Sequence, residues 1–300
     1  MRASDLTRLI VLAAIWGVSF ILLRVIVPVA GPVTTATLRV LLAGIALTIY
    51  CRILRLDAEW RRFWKEYLFI GATNSGLPFL VYAWAAQYLQ ACYLVIVNAT
   101  SPLFGAIFAA LWLGEPLTLW RLSGILLGAL GVALVAGAPA PDLSPMFGLA
   151  LIVSLLAPFC YAFTTIYIKK SQVSAKPTAL AGASQLAAGV LLLPFIPLAP
   201  PEGTFTLTVI VSVLCLSLLC SAVAYLLYYR LLVDVGPTRA LMVTFLIPAF
   251  GMFWGFIFLG ERITASMIGG CALIVAGTAA VIRNPRRHLR QQTGGPGPTR

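Results

Sequence analysis

The chain has 300 residues, 61% of them hydrophobic and only 10% charged, with a formal net charge of +12. A soluble domain carries about a quarter charged residues, so this composition excludes one and calls for a polytopic membrane protein. The basic excess raises nucleic acid as a partner, but its placement along the chain, given below, suits a membrane and sets nucleic acid aside.

Ten apolar runs are predicted as helices, over residues 7–27, 34–53, 67–88, 91–113, 119–138, 146–169, 177–198, 207–232, 237–259 and 264–283. Each reaches across about 30 Å of hydrocarbon at roughly 1.5 Å per residue. Pro28-Val-Ala-Gly-Pro32 reads as a tight turn between the first two. Arg24 and Arg39 fall near their outer ends, where each either snorkels to headgroups or faces an outer vestibule and attracts a substrate carboxylate. Residues 57–67 carry Trp60, Phe63, Trp64 and Tyr67 at helical spacing among basic residues, the pattern of an interfacial amphipathic helix.

The third run holds Gly71-Ala-Thr-Asn-Ser-Gly76-Leu-Pro78, which must distort a helix in mid-membrane and release carbonyls that need polar neighbours. The eighth run offers Ser217, Cys220, Ser221 and Tyr225 at comparable depth. The fourth and ninth carry Asn98-Ala-Thr-Ser-Pro102 and Thr244-Phe-Leu-Ile-Pro248, so both are expected to kink. Trp16, Tyr82, Trp84, Tyr161, Tyr225, Tyr228 and Trp254 supply aromatics for a lumen. The candidate substrate-binding set is Trp16, Asn74, Pro78, Tyr82, Asn98, Ser101, Tyr161, Tyr225, Tyr228 and Thr244. Arg24, Arg39 and Lys169 are candidates for an electrostatic or gating role. Such a wall suits a neutral or zwitterionic organic solute.

Residues 102–135 recur at 248–281, an offset of 146 (248 − 102). Pro102, Phe104, Gly105, Leu113-Gly114-Glu115, Thr118, Gly124, Leu127 and Gly131 each meet an identical residue. A repeat of five helices has an odd number of crossings, so its second copy faces the other way. Inverted repeats with a site between them mark secondary transporters. The expected organisation is a first repeat over 1–138, a linker over 139–145, a second repeat over 146–283 and a basic, Gly- and Pro-rich disordered tail over 284–300. With the N-terminus inside, 18 of the 21 basic residues fall in inner segments and only Arg262 outside, which places both termini in the cytoplasm.

The nine acids all stand at helix ends or in loops, and the single histidine, His288, lies in the tail. A proton-coupled carrier usually buries a titrating group, so facilitated transport is expected. Six cysteines lack metal-ligand spacing, and no catalytic constellation assembles, so neither metal, cofactor nor enzyme activity is expected. The GxxxG matches Gly124–Gly128 and Gly251–Gly255 read as close packing within a monomer.

Several stretches resemble the drug/metabolite transporter superfamily, specifically its EamA-type exporters. Ala14-Ile-Trp-Gly-Val-Ser-Phe20 is similar to the family's opening helix. Leu113-Gly-Glu115 and Leu259-Gly-Glu261 match its turns after helices four and nine, and Ala224-Tyr-Leu-Leu-Tyr-Tyr-Arg230 with Gly236-Pro237 resembles its link from helix eight to nine. Arg24 stands where many members have lysine. The resemblance implies an all-α integral membrane fold of ten helices in two inverted repeats around a central cavity. It also implies a multi-pass protein of the bacterial inner membrane that moves amino acids and similar metabolites outward by alternating access. Within the family, the likeness is greatest to aromatic amino acid exporters. A multidrug or organic-cation exporter is the alternative within transport, and a membrane enzyme or scaffold the alternative outside it.

Overall fold

A single glycine folds the first 51 helical residues back on themselves. In the computed structural model, which describes residues 3–136, 145–171, 175–235 and 242–282, helix α1 (Ala3–Ile53) is continuous by hydrogen bonding except at Gly31, whose φ of 70° and ψ of 166° are open to glycine and costly to other residues. In a straight helix Ile15 and Leu38 would stand about 35 Å apart. Instead their carbonyls accept from Cys220 Sγ (3.3 Å) and Ser217 Oγ (3.3 Å), which sit one turn apart. The predicted Pro28–Pro32 loop is therefore one residue, and Pro32 opens the second arm where its missing N–H costs nothing.

Helices α2 (Trp60–Gly71) and α3 (Leu77–Ala85) are joined by a π-helical stretch at Ala72–Gly76. The expected interfacial helix is the foot of this rod. Its Phe63 and Tyr67 are buried against Ala183 and Ala187, while Trp60 and Trp64 stay exposed. α4 (Ala91–Asn98) and α5 (Ser101–Leu113) are separated at Ala99-Thr100, just before Pro102. α4 is the most enclosed segment, with every residue from Ala91 to Val97 buried. α6 spans Leu119–Ala136, α7 Pro145–Ser154, α8 Leu156–Ser171 and α9 Pro177–Leu192, the last continued by a 3-10 helix to Leu198. α10 (Leu207–Leu214) and α11 (Ala224–Val235) flank a second π-helical stretch at Cys215–Val223. α12 (Val243–Leu259) and α13 (Ala265–Ile282) complete the described residues, which contain no strand.

Seven of these segments are long and apolar enough to cross a membrane. The other three expected spans correspond to the second arm of α1, to the rod from Trp60 to Ala85, and to the shorter α12. The expected start of the ninth helix, the 139–144 part of the linker and the tail lie outside the described residues, and residue 145 already belongs to α7.

The repeat is visible in backbone detail. The π stretch at 72–76 maps by the 146-residue offset onto 218–222, inside the second one. Gly114 and Gly260 end α5 and α12 with φ of 65° and 63°, and the N–H groups of Glu115 and Glu261 donate to the Ala109 and Gly255 carbonyls. The kinks in the fourth and ninth runs are not matched: the fourth is broken at 99–100, whereas α12 runs unbroken through Pro248.

α6 and α13 pack through glycines. A methyl group on Gly124 would lie 2.5 Å from the Gly277 carbonyl, and one on Gly131 would lie 2.7 Å from that of Gly270. Contacts that pair an earlier residue with a later one in this way set the two helices antiparallel. The far face of α6 carries Leu122, Leu126, Leu130 and Leu134, exposed at a spacing of four as a lipid-facing stripe requires. Gly251 likewise meets Val95 and Gly255 meets Glu261, so both GxxxG pairs serve packing inside this chain.

Candidate functional site

A cavity of about 400 Å³ lies between α1, the two π-interrupted rods, α4, α5, α8 and α12. Nine of the ten predicted substrate-binding residues line it: Trp16, Asn74, Tyr82, Asn98, Ser101, Tyr161, Tyr225, Tyr228 and Thr244. Pro78 is buried but does not line it; Phe79 does. The π turn explains the substitution. It admits one extra residue per turn, so the side chain below Asn74 on the cavity face is five positions on rather than four. The second π-interrupted rod repeats the pattern. Cys220, Tyr225 and Tyr228 face the cavity, and they are the counterparts of Asn74, Phe79 and Tyr82 at the 146-residue offset. Ser19 and Thr165, Asn98 and Thr244, and Ser101 and Ile247 are three further such pairs.

Aromatic contacts set the walls. Trp16 packs against Tyr228 at 5.4 Å and edge-on to Tyr225 at 6.4 Å. The Tyr82 ring meets Phe20 edge-on at 5.5 Å, and its hydroxyl donates to Asn98 Oδ1 at 3.1 Å. Trp84 and Trp254 are outside the wall: Trp84 packs on Tyr88, and Trp254 Nε1 donates to the Ala14 carbonyl. Ser217 is also outside it, spent on the Leu38 carbonyl.

The three candidate cations part company. Arg24 donates to the Ala86 carbonyl at 2.7 Å and closes the end of α3 rather than facing a vestibule. Lys169 is exposed and pairs with Glu115 at 3.1 Å. Arg39 enters the cavity. It is 6% exposed, with its guanidinium carbon 3.7 Å from the centre of the Phe79 ring and its Nε donating to Ser221 Oγ at 3.1 Å. Ser221 in turn donates to the Leu216 carbonyl, a bond spanning five residues within the π stretch. Among the described residues no carboxylate lies within ion-pair distance of Arg39. A buried cation without a counter-charge is unfavourable by itself.

A side chamber of about 40 Å³ shares Asn74, Ile168 and Tyr225 with the cavity and adds Ser75, Ser184 and Gln185. Gln185 is 1% exposed, and neither its amide atoms nor Ser75 Oγ has a hydrogen-bond partner among the described residues. A polar chamber of this size suits ordered water. Neither Ser75 nor Gln185 belonged to the expected set. The offset could have found both, because Gln185 is the counterpart of Arg39 and Ser75 of Ser221.

Glu261 was also unforeseen in its degree of burial. Its carboxylate, on a residue 5% exposed, accepts from the N–H groups of Ala91 (2.7 Å) and Cys92 (3.0 Å) and so caps the start of α4.

These features can be set beside known proteins. A model of the EamA-like transporter family matches residues 6–137 and again 147–283. "Uncharacterized transporter YvbV" of Bacillus subtilis (strain 168) is 28% identical over 90% of this chain and 88% of its own length. "Protein PecM" of Dickeya dadantii (strain 3937) is 26% identical over 87% and 86%. A "Probable terminal-alkyne amino-acid exporter" of Streptantibioticus cattleyicolor is 23% identical over 97% and 98%. A solved crystal structure, 18% identical, superposes with a TM-score of 0.66 over 98% of this chain and all of that one, a likeness of fold. Two family matches meet on either side of one multi-pass helical membrane fold, and on them rests the assignment: the chain belongs to the EamA-like transporter family.

Proposed function

We propose that this transporter exports amino acids, including aromatic or apolar ones, and similar small metabolites across the bacterial inner membrane, with both termini in the cytoplasm. Two inverted five-helix repeats alternate access to the cavity between them. The observation that carries this reading is the origin of the wall. Six pairs of repeat-related positions converge on one cavity, which is the placement expected where two halves rock about a shared site. The antiparallel glycine contact of the counterpart helices α6 and α13 supports the inverted relation. Aromatic rings with hydroxyl and amide groups suit an amino acid side chain, and about 400 Å³ falls in the range of small-molecule sites. The likeness to a protein named as an amino-acid exporter points the same way. No histidine or carboxylate lines the cavity among the described residues, which favours facilitated flux over proton exchange.

Purified protein in liposomes is expected to equilibrate labelled phenylalanine without an ion gradient, and an imposed pH gradient is not expected to concentrate it. Tyr82→Ala is expected to cut the rate at least about tenfold at normal abundance, since it removes both the ring against Phe20 and the bond to Asn98. Accumulation driven by the pH gradient and abolished by an ionophore would overturn the facilitated reading.

A further inference from the structure

The cavity holds a fixed positive charge to which no described residue supplies a counter-charge. Arg39 is stacked on Phe79 over one face, and its Nε is tied to Ser221, itself anchored by the Leu216 carbonyl. Two contacts, the second braced by the Leu216 carbonyl, therefore fix the plane of the guanidinium. Its two Nη groups make no hydrogen bond to a described residue, and the side chain lines the cavity. A planar fork held at one edge and free at the other is the geometry that takes a carboxylate through two parallel hydrogen bonds.

The fold does not itself require a charge at this position. The repeat counterpart of Arg39 is Gln185, and the counterpart of its partner Ser221 is Ser75. Those two line the side chamber together, buried and neutral. The second repeat thus fills the corresponding position with an amide, and the charge belongs to the first repeat alone. We infer that Arg39 anchors the substrate's carboxylate and makes the site one for small monocarboxylates with an apolar or aromatic body.

Two selectivities follow. An α-amine is optional, because the cavity offers an ammonium only neutral acceptors such as Asn98 Oδ1 and the tyrosine hydroxyls. Organic cations are refused, because they bring a second positive charge to a buried one. This inference rests on reading the cavity as the transport site and narrows its substrate class.

The test is calorimetric binding to detergent-purified protein of four ligands that share one ring: phenylalanine, 3-phenylpropionate, phenylalanine amide and phenethylamine. The two carboxylates are expected to bind at least about tenfold tighter than the amide and the amine. Arg39→Gln, which copies the counterpart residue, is expected to bring all four within about twofold while its Tm stays level or rises, because an unpaired buried charge has been removed. Arg39→Lys keeps the charge without the fork and is expected to retain the order at weaker affinity. The inference is overturned if the order survives Arg39→Gln, if the amine binds best, if none of the four binds, or if Arg39→Gln lowers the Tm sharply while Arg39→Lys leaves every affinity unchanged. Flux separates this inference from the reading beneath it. Binding in the expected order by a protein that moves none of the ligands across liposomes defeats the transport reading and leaves the anchor standing; flux of the amine ahead of the carboxylates does the reverse.

Discussion

Glu115 and Glu261 occupy the same place in the two repeats, and the fold treats them differently. Each follows a left-handed glycine, and each sends its N–H to the carbonyl six residues back. Beyond that turn they diverge. Glu261 is buried and holds two backbone N–H groups at the head of α4. Glu115 has a side chain 32% exposed and bonds Arg121 Nη2 at 2.8 Å and Lys169 Nζ at 3.1 Å. A repeated sequence thus repeats local geometry, while the partner is chosen by whichever helix the rest of the fold brings near. One end of the bundle is closed by a buried cap, and the other is tied by hydrated ion pairs.

Removing the carboxylates should separate the two most widely. Glu261→Ala leaves two amides of α4 without acceptors, at an expected loss of roughly 2–5 kcal/mol, read as a lower midpoint in denaturant titration of the solubilised protein. A loss as small as that of Glu115 variants would erase the distinction drawn here.

The glycine contact offers a region where the repeats should instead behave alike. Gly124→Ala and Gly270→Ala are counterparts, and each new methyl meets the facing helix, at the Gly277 carbonyl in one case and at Val135 and the Gly131 carbonyl in the other. Both are expected to cost about 1–3 kcal/mol, with similar shifts in Tm. A large effect from one and none from the other would show that the symmetry of this contact is only apparent.

The smallest effect belongs to Glu115. Its bond to Arg121, aided by Lys169, holds the carboxyl below its ordinary range against a weaker opposing effect of burial. A lowered pKa means the pairing stabilises fully above the ordinary carboxylate range, and the benefit drains away as pH falls through the lowered value. Wild type should therefore exceed Glu115→Gln by less than about 1 kcal/mol near neutrality, and the gap should close in acid and in high salt. A gap that persists in both would mean the carboxylate acts by something other than charge.

The contrast also explains what was legible in the chain. Apolar runs show helices directly, and Gly-Glu at a helix end shows a left-handed helix stop in both repeats. Polar and aromatic residues inside such runs, at positions that recur after 146, pointed to Asn98, Thr244, Tyr82 and Tyr228 without coordinates. The Gly-, Asn- and Pro-bearing stretch at 71–78 marks a distortion but not its kind, since a π stretch differs from an α-helix only in which carbonyl each N–H finds; hence Pro78 is expected where Phe79 belongs. Arg39 stands two turns from Pro32, a position that reads as snorkelling or as facing an outer vestibule, not as lying in the cavity. What draws it inward is Phe79 and Ser221, 40 and 182 residues further on, and no local window contains them. The burial of Glu261 is long-range in the same way, resting on amides 170 and 169 residues earlier.

Gly31 joins two arms that both contribute to the cavity wall, Trp16, Ser19 and Phe20 from one and Arg39 from the other. There is no slack at the joint, and the Val29 carbonyl beside it is held by the Gly203 N–H. A joint of one residue has two torsions, so the arms form a lever with a single pivot. Any swing that moves the guanidinium relative to Trp16 must pass through that pivot or bend a helix. The charge and the aromatic floor of the cavity are in this sense geared together.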